Sequence, residues 1–183
     1  MTDTGPRRIG EAMELRPHAY DPVANPELFD GVLARRVVAF VIDMFILAIP
    51  PLFAAIFIFM FGFVTLGLGW GLYFLWWPGT IVWAIFYYGL TFGGSKSATI
   101  GMRVMDLEMR TWYGAPAYFV LGAVHAVIYW ITVSILTPLV LLVALFNERK
   151  RLLHDILIGT VVINNPARAA ALRHPQWGDH RPA

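Results

Sequence analysis

Three ionisable side chains occupy positions where charge is costly. Asp43 is the only formal charge between Val37 and Gly94. A carboxylate among so many apolar residues costs several kcal/mol unless it is paired, protonated or wetted. Arg36 precedes it by seven residues, so on a helix the two project from nearly the same face, about 10 Å apart along the axis. One reading is a protonatable or cation-binding group on a pathway. The structural alternative is a buried ion pair or hydrogen-bonded acid that orients the helices. Asp155 closes the cluster NERKRLLHD. Arg36 could reach a carboxylate there as well as one above it, because a guanidinium fork can hold two acids.

Two histidines are secondary candidates. His125 lies in an apolar block, either as a neutral hydrogen-bonding ring between helices or as a proton relay. His154 adjoins Asp155, but neighbouring side chains normally diverge, so the dipeptide is not read as a catalytic dyad. The spacing of His125, His154, His174 and His180 matches no metal-ligand pattern. No phosphate loop, nucleophile elbow or zinc-protease motif occurs, so neither catalytic residues nor a cofactor are predicted. The chain has no cysteine and a net charge of +2. No basic stripe interleaves with aromatics, which argues against a nucleic-acid partner.

These residues sit in an unusually apolar chain, 58% hydrophobic and 14% charged, where an ordinary soluble domain is about 25% charged. Besides the block from Val37 to Gly94, the stretch from Thr111 to Asn147 carries no formal charge. A spanning helix needs about 20 apolar residues, so the first block holds two spans and a turn and the second holds at least one. A soluble protein with buried core helices is the alternative, but such helices seldom run beyond about 14 apolar residues. The chain is therefore read as an all-α transmembrane helical bundle of three or four spans with the bilayer as its principal partner. Residues 1–31, proline-rich and mixed in charge, read as a polar mobile tail, and residues 164–183 as a second. The membrane domain covers 32–163, with spans near 37–61, 72–92 and 117–146.

Asp30 is a candidate N-cap for the first helix, and Pro50-Pro51 should kink it where neighbouring helices satisfy the freed carbonyls. FGFVTLGLGWG is a short turn, and the Trp and Tyr residues of the second span should mark the headgroup levels. Gly89/Gly93 has small-residue packing spacing. Met102 to Leu107 alternates apolar and polar residues, which predicts a strand, and Leu157 to Ile163 is a second. Paired, they would form a small cytoplasmic two-strand element. Thirty residues from Ala117 to Phe146 would make a helix of about 45 Å, too long for one straight span. Either the segment starts in the interface and crosses, or it bends into a hairpin around Ser134 to Pro138. Arg35-Arg36, Lys96, Arg103 and Arg110, and Arg149 to Arg151 should all favour the cytoplasm. The hairpin keeps them together, and places the N-terminus inside a multi-pass protein of the cell (plasma) membrane.

The sequence resembles the RDD family of membrane proteins, named for one arginine and two aspartates. RRVVAFVID carries Arg36 and Asp43, ERKRLLHDILIGTVVI carries Asp155, and TIGMRV at Thr99 to Val104 is similar to a connector that follows the second span. Met102 stands where a basic residue is common, leaving Arg103 to supply the charge. The resemblance runs from Phe29 to Ile163. It implies Arg36, Asp43 and Asp155 as a functional triad and a suspected transport of a proton, cation or small solute. With so few spans this would need a homo-oligomer or a membrane partner subunit. The alternative is a non-transporting structural or assembly subunit, in which the triad locks the cytoplasmic layer to the first helix.

Overall fold

The computed structural model describes residues 20–136, 143–144 and 146–173. The outer parts of both expected tails, with His174 and His180, and the end of the expected bend at 134–138 lie outside them. Helix α1 (Val32–Val64) and helix α2 (Tyr73–Phe92) are joined by a 3-10 turn at Leu68–Leu72. A short helix α3 (Ile100–Val104) leads into strand β1 (Leu107–Thr111). Helix α4 (Phe119–Leu136), helix α5 (Leu153–Ile158), strand β2 (Thr160–Asn164) and helix α6 (Pro166–Arg173) follow. At 33 residues, α1 is about 50 Å long. Among the described helices it is the one both long and apolar enough to cross a membrane, while Phe119–Ile135 is a shorter apolar helix. The outward faces are apolar, with Phe45, Phe53, Phe57, Phe74 and Trp77 exposed, a surface suited to lipid rather than water.

Helix α1 continues through Pro50 and Pro51, and the reason lies on α2. Pro51 has no amide hydrogen for the carbonyl of Leu47, four residues back. The Trp83 indole N–H donates to that carbonyl at 3.2 Å. Trp76 donates to the Pro51 carbonyl at 2.9 Å and Tyr73 to that of Ala55 at 2.9 Å. These aromatics therefore form a ladder of donors along α1 in addition to any headgroup role. Thr65, Thr80 and Thr132 bond carbonyls one turn back, each at 2.8 Å, as side-chain hydroxyls in apolar helices tend to do.

The sheet is antiparallel, with Leu107 opposite Asn164 and Thr111 opposite Thr160. The first expected strand, Met102 to Leu107, is corrected in register. Thr99 caps a helical turn by accepting from the Met102 amide at 3.1 Å, and this local hydrogen bond overrides the period-two pattern until Leu107. Likewise Leu157 and Ile158 belong to α5, which ends at Gly159 with φ 73°, and the second strand starts at Thr160. All five β2 residues are buried. Val162 packs toward the membrane helices with Val32 and Ala39, whereas Val161 and Ile163 pack on Phe29, Leu28 and Tyr20. Both faces are covered, hence the unbroken apolar run.

That cover corrects the two tail expectations. Residues 20–31 include a 3-10 turn at Pro26–Leu28, and the cap position of α1 is Gly31 at φ 64°, not Asp30. Residues 166–173, expected as tail, form α6, with Ala169 buried and Arg173 paired to Glu27 at 2.6 Å. Burial against neighbouring segments orders stretches whose own composition would not.

Helix α4 packs along the C-terminal part of α2. Phe119 sits on Gly89 and Gly93, and Gly122 on the Tyr88 carbonyl and Phe92. A Cβ at any of these glycines would intrude on the facing helix, which explains the small-residue spacing. Further along, the His125 ring is 5.4 Å from Phe92 and the Tyr129 ring 5.8 Å from Phe40. Val133 joins Leu33, Ala144, Leu152 and Leu153 in one apolar cluster. His154 returns to His125, so the chain reverses between α4 and α5.

Candidate functional site

The triad residues occupy two separate buried sites. Asp43 faces α2 and α3. Tyr87 donates to Oδ1 at 2.5 Å, the Gly101 amide donates to the same oxygen at 2.8 Å, and Thr99 Oγ1 donates to Oδ2 at 2.6 Å. The residue is 4% exposed. Three neutral donors thus replace the water a carboxylate would otherwise need. Arg36 is not among the partners found for it in the described residues, so of the ion pair and the hydrogen-bonded acid left open by the sequence, the fold builds the second. Two helical turns separate the two along one face, and α3 fills the space beside Asp43. Gly101 is required there because a Cβ would overlap the Ala39 carbonyl and crowd the Asp43 carboxyl. Arg103 stands apart from the acid: it donates to the Ala98 carbonyl at 2.9 Å and the Thr91 carbonyl at 3.3 Å. It therefore ties the connector to the carbonyl end of α2.

Asp155 is fully buried. Arg36 meets its Oδ2 at 2.6 Å, and the Leu152 amide donates to the same oxygen at 3.0 Å. That second bond is the reach-back of an acid in the first turn of a helix, so the acid that caps the start of α5 also anchors it to α1. Arg36 reaches the Lys150 carbonyl as well, at 3.4 Å. Burial pushes the Asp155 carboxyl up, but the Arg36 guanidinium and the two histidines outweigh it, and the group lies well below the usual carboxylate range. Arg151 completes the enclosure. It donates to the Thr160 carbonyl at 2.7 Å and the Asp155 carbonyl at 2.8 Å, and its guanidinium lies 4.7 Å from the centre of the Trp112 ring.

Around Asp155 Oδ1 the fold assembles what the sequence spacing did not reveal. His154 Nε2 is 3.5 Å from it and His125 Nδ1 3.9 Å. The two rings meet edge to face at 4.8 Å, and Tyr129 packs on His154 at 5.0 Å. Burial, only partly offset by Asp155, lowers His154 to about 3, so the imidazole is neutral near pH 7. His125 arrives from α4, a long way off in sequence, so no local pattern could have found it.

Arg35, read from the sequence only as part of a basic flank, makes specific contacts as well. It donates to Asn164 Oδ1 at 2.7 Å and pairs with Asp106 at 3.4 Å. Asn164 donates in turn to the carbonyls of Glu27 and Asp30 at 2.8 and 3.0 Å. The two neighbouring arginines therefore grip different parts of one layer: Arg35 the sheet and Arg36 the start of α5. Chemically, the arrangement offers two hydrogen-bonded acidic side chains and two buried imidazole rings, and no aligned nucleophile and base among the described residues.

A model of the RDD family matches residues 31–159. No curated protein and no solved structure gives a match. The matched range contains both acid sites and stops just before β2.

Proposed function

The chain belongs to the RDD family of membrane proteins, and from that premise we propose that it is a multi-pass, non-enzymatic structural or assembly subunit of the cell membrane. Its triad fastens a cytoplasmic layer onto the membrane helices. The observation that carries this reading is the closure of both acids. Asp43 is bonded by Tyr87, Thr99 and Gly101, and Asp155 is fully buried against Arg36. Each joins α1 to a segment from a later part of the chain. Neither resembles a group waiting for a passing solute.

The arrangement of charge supports the orientation. Arg35 and Arg36 grip the same layer that contains β1, β2 and Arg151, and such basic clusters favour the cytoplasm. With β1 and β2 paired, the chain from Thr111 to Thr160 leaves and re-enters on one side. In this reading α1 and α2 span, the third block returns to the side it left, and both termini are cytoplasmic. The exposed apolar surface of the helix pair is covered by lipid and by a second copy or partner subunit.

Transport of a proton or cation is the second reading, and one observation favours it. The three hydrogen bonds to Asp43 come from neutral groups, so its charge is not cancelled by a bonded cation. Reconstitution in liposomes separates the two. The structural reading expects no pH-coupled Na+ or K+ flux above empty vesicles, and loss of monodisperse protein in Asp43→Asn. Flux that disappears in a folded Asp43→Asn protein would establish transport and overturn it.

A further inference from the structure

We propose that His125, His154 and Asp155 bind a transition-metal cation of the Zn2+ class, tying α4 to α5 beside the Arg36 ion pair. One nitrogen from each ring and one carboxylate oxygen lie within 4.8 Å of one another, and all three residues are buried. In four-coordinate zinc sites, bonds of about 2.0–2.1 Å place neighbouring ligand atoms roughly 3.4 Å apart. The nitrogen-to-oxygen separations of 3.5 and 3.9 Å are close to that edge.

A second observation points to a ligand independently. His125 Nδ1 and His154 Nδ1 are buried without a hydrogen-bond partner among the described residues. Their residues are 6% and 1% exposed. Of the two, His125 Nδ1 is the atom that faces Asp155 Oδ1, at 3.9 Å, whereas His154 turns its Nε2 to that oxygen; the unpaired His125 nitrogen is therefore the one that calls for a ligand there. The other carboxylate oxygen is already fixed by Arg36 and the Leu152 amide, the outer-shell support that metal-binding carboxylates usually have.

The donor set selects the cation class. Two imidazoles and one carboxylate favour zinc and its neighbours over Na+, Mg2+ or Ca2+, which prefer oxygen. Three protein donors leave the fourth position of a tetrahedral ion to a water molecule. The inference is independent of whether the chain carries flux, since it concerns how the cytoplasmic layer is held.

The test uses untagged, full-length protein in detergent micelles, stripped with chelator. His18, His174 and His180 are replaced by Gln, leaving His125 and His154 as the only histidines. Titration with Co2+ alone should saturate at one equivalent with the intense visible absorption of a tetrahedral site. Zn2+ should displace it and raise the melting temperature. Adding His125→Gln or His154→Gln should weaken binding about 10-fold or more. Absence of stoichiometric Co2+ and Zn2+ binding in the folded triple variant would refute the proposal, and so would binding undiminished by both substitutions. If either core variant fails to fold, the triple-variant titration decides alone.

Discussion

Breaking the Arg36–Asp155 pair should expose how much of the fold depends on it. The 2.6 Å contact brings two charges together at a fully buried carboxylate. At an effective dielectric constant near 20, unit charges about 4 Å apart attract by about 4 kcal/mol. Arg36→Gln removes the positive partner and leaves Asp155 uncompensated, a change that typically costs about 3–5 kcal/mol. Asp155→Asn keeps an oxygen able to accept from the Leu152 amide but strands the guanidinium. The double variant removes both charges at once, so its loss should fall short of the sum of the single losses by about 2 kcal/mol or more. Equilibrium unfolding in mixed detergent micelles, followed by far-UV circular dichroism or pulse proteolysis, measures all four corners of the cycle. Losses that add to within about 0.5 kcal/mol would show that the two side chains do not interact energetically. The account of α5 as a segment anchored through its first-turn acid would then fail.

The same cluster should make the protein acid-sensitive. His154 is held near 3 in the folded state against about 6.5 when exposed, so the unfolded chain binds the extra proton between those limits. Stability from this group is complete above pH 6.5 and declines as pH falls, by about 2 kcal/mol between pH 7 and 5. The lowered Asp155 carboxyl adds a further loss only below the ordinary carboxylate range. A pH series of unfolding curves should therefore be flatter between pH 7 and 5 for His154→Gln than for the native chain; equal slopes would contradict a buried neutral imidazole. On the membrane helices, Trp83→Phe should cost about 1–3 kcal/mol by orphaning the Leu47 carbonyl. Most of that cost should vanish in a Pro51→Ala background, where the restored amide serves the same carbonyl; an undiminished cost there would mean that the indole acts through packing alone.

Long apolar stretches were the most legible part of the chain. The apolar stretch expected at 72–92 forms the helix Tyr73–Phe92, because length and hydropathy are local properties. The connector was recognisable as a motif but not as a binding element. Only the fold shows that Thr99 and Gly101 supply two of the three bonds to Asp43. Helical periodicity placed Arg36 and Asp43 on one face and so suggested that they pair. It carries no information about a distant segment arriving between them. Met102 to Leu107 misled for a related reason: alternation is weaker than a capped turn when the cap residue, Thr99, lies three positions upstream. His125 and His154 come from different helices and were considered separately. Their convergence on one carboxylate oxygen depends on how α4 and α5 pack together, which neither local sequence records.

The distance along the chain between Arg36 and its acid has a consequence for biogenesis. Roughly 120 residues must be added after Arg36 before Asp155 exists, which at about 5–20 residues per second is on the order of ten seconds of synthesis. The α1–α2 hairpin, with its ladder of indole and phenol donors, has all its parts long before then. Asp43 acquires its connector next, as soon as Thr99 and Gly101 emerge. Arg36 must meanwhile remain solvated at the water interface, where its long side chain can extend into the headgroup layer. Its pairing is therefore the last of these contacts to form: a chain truncated before α5 would keep the α1–α2 hairpin but present Arg36 without its acid.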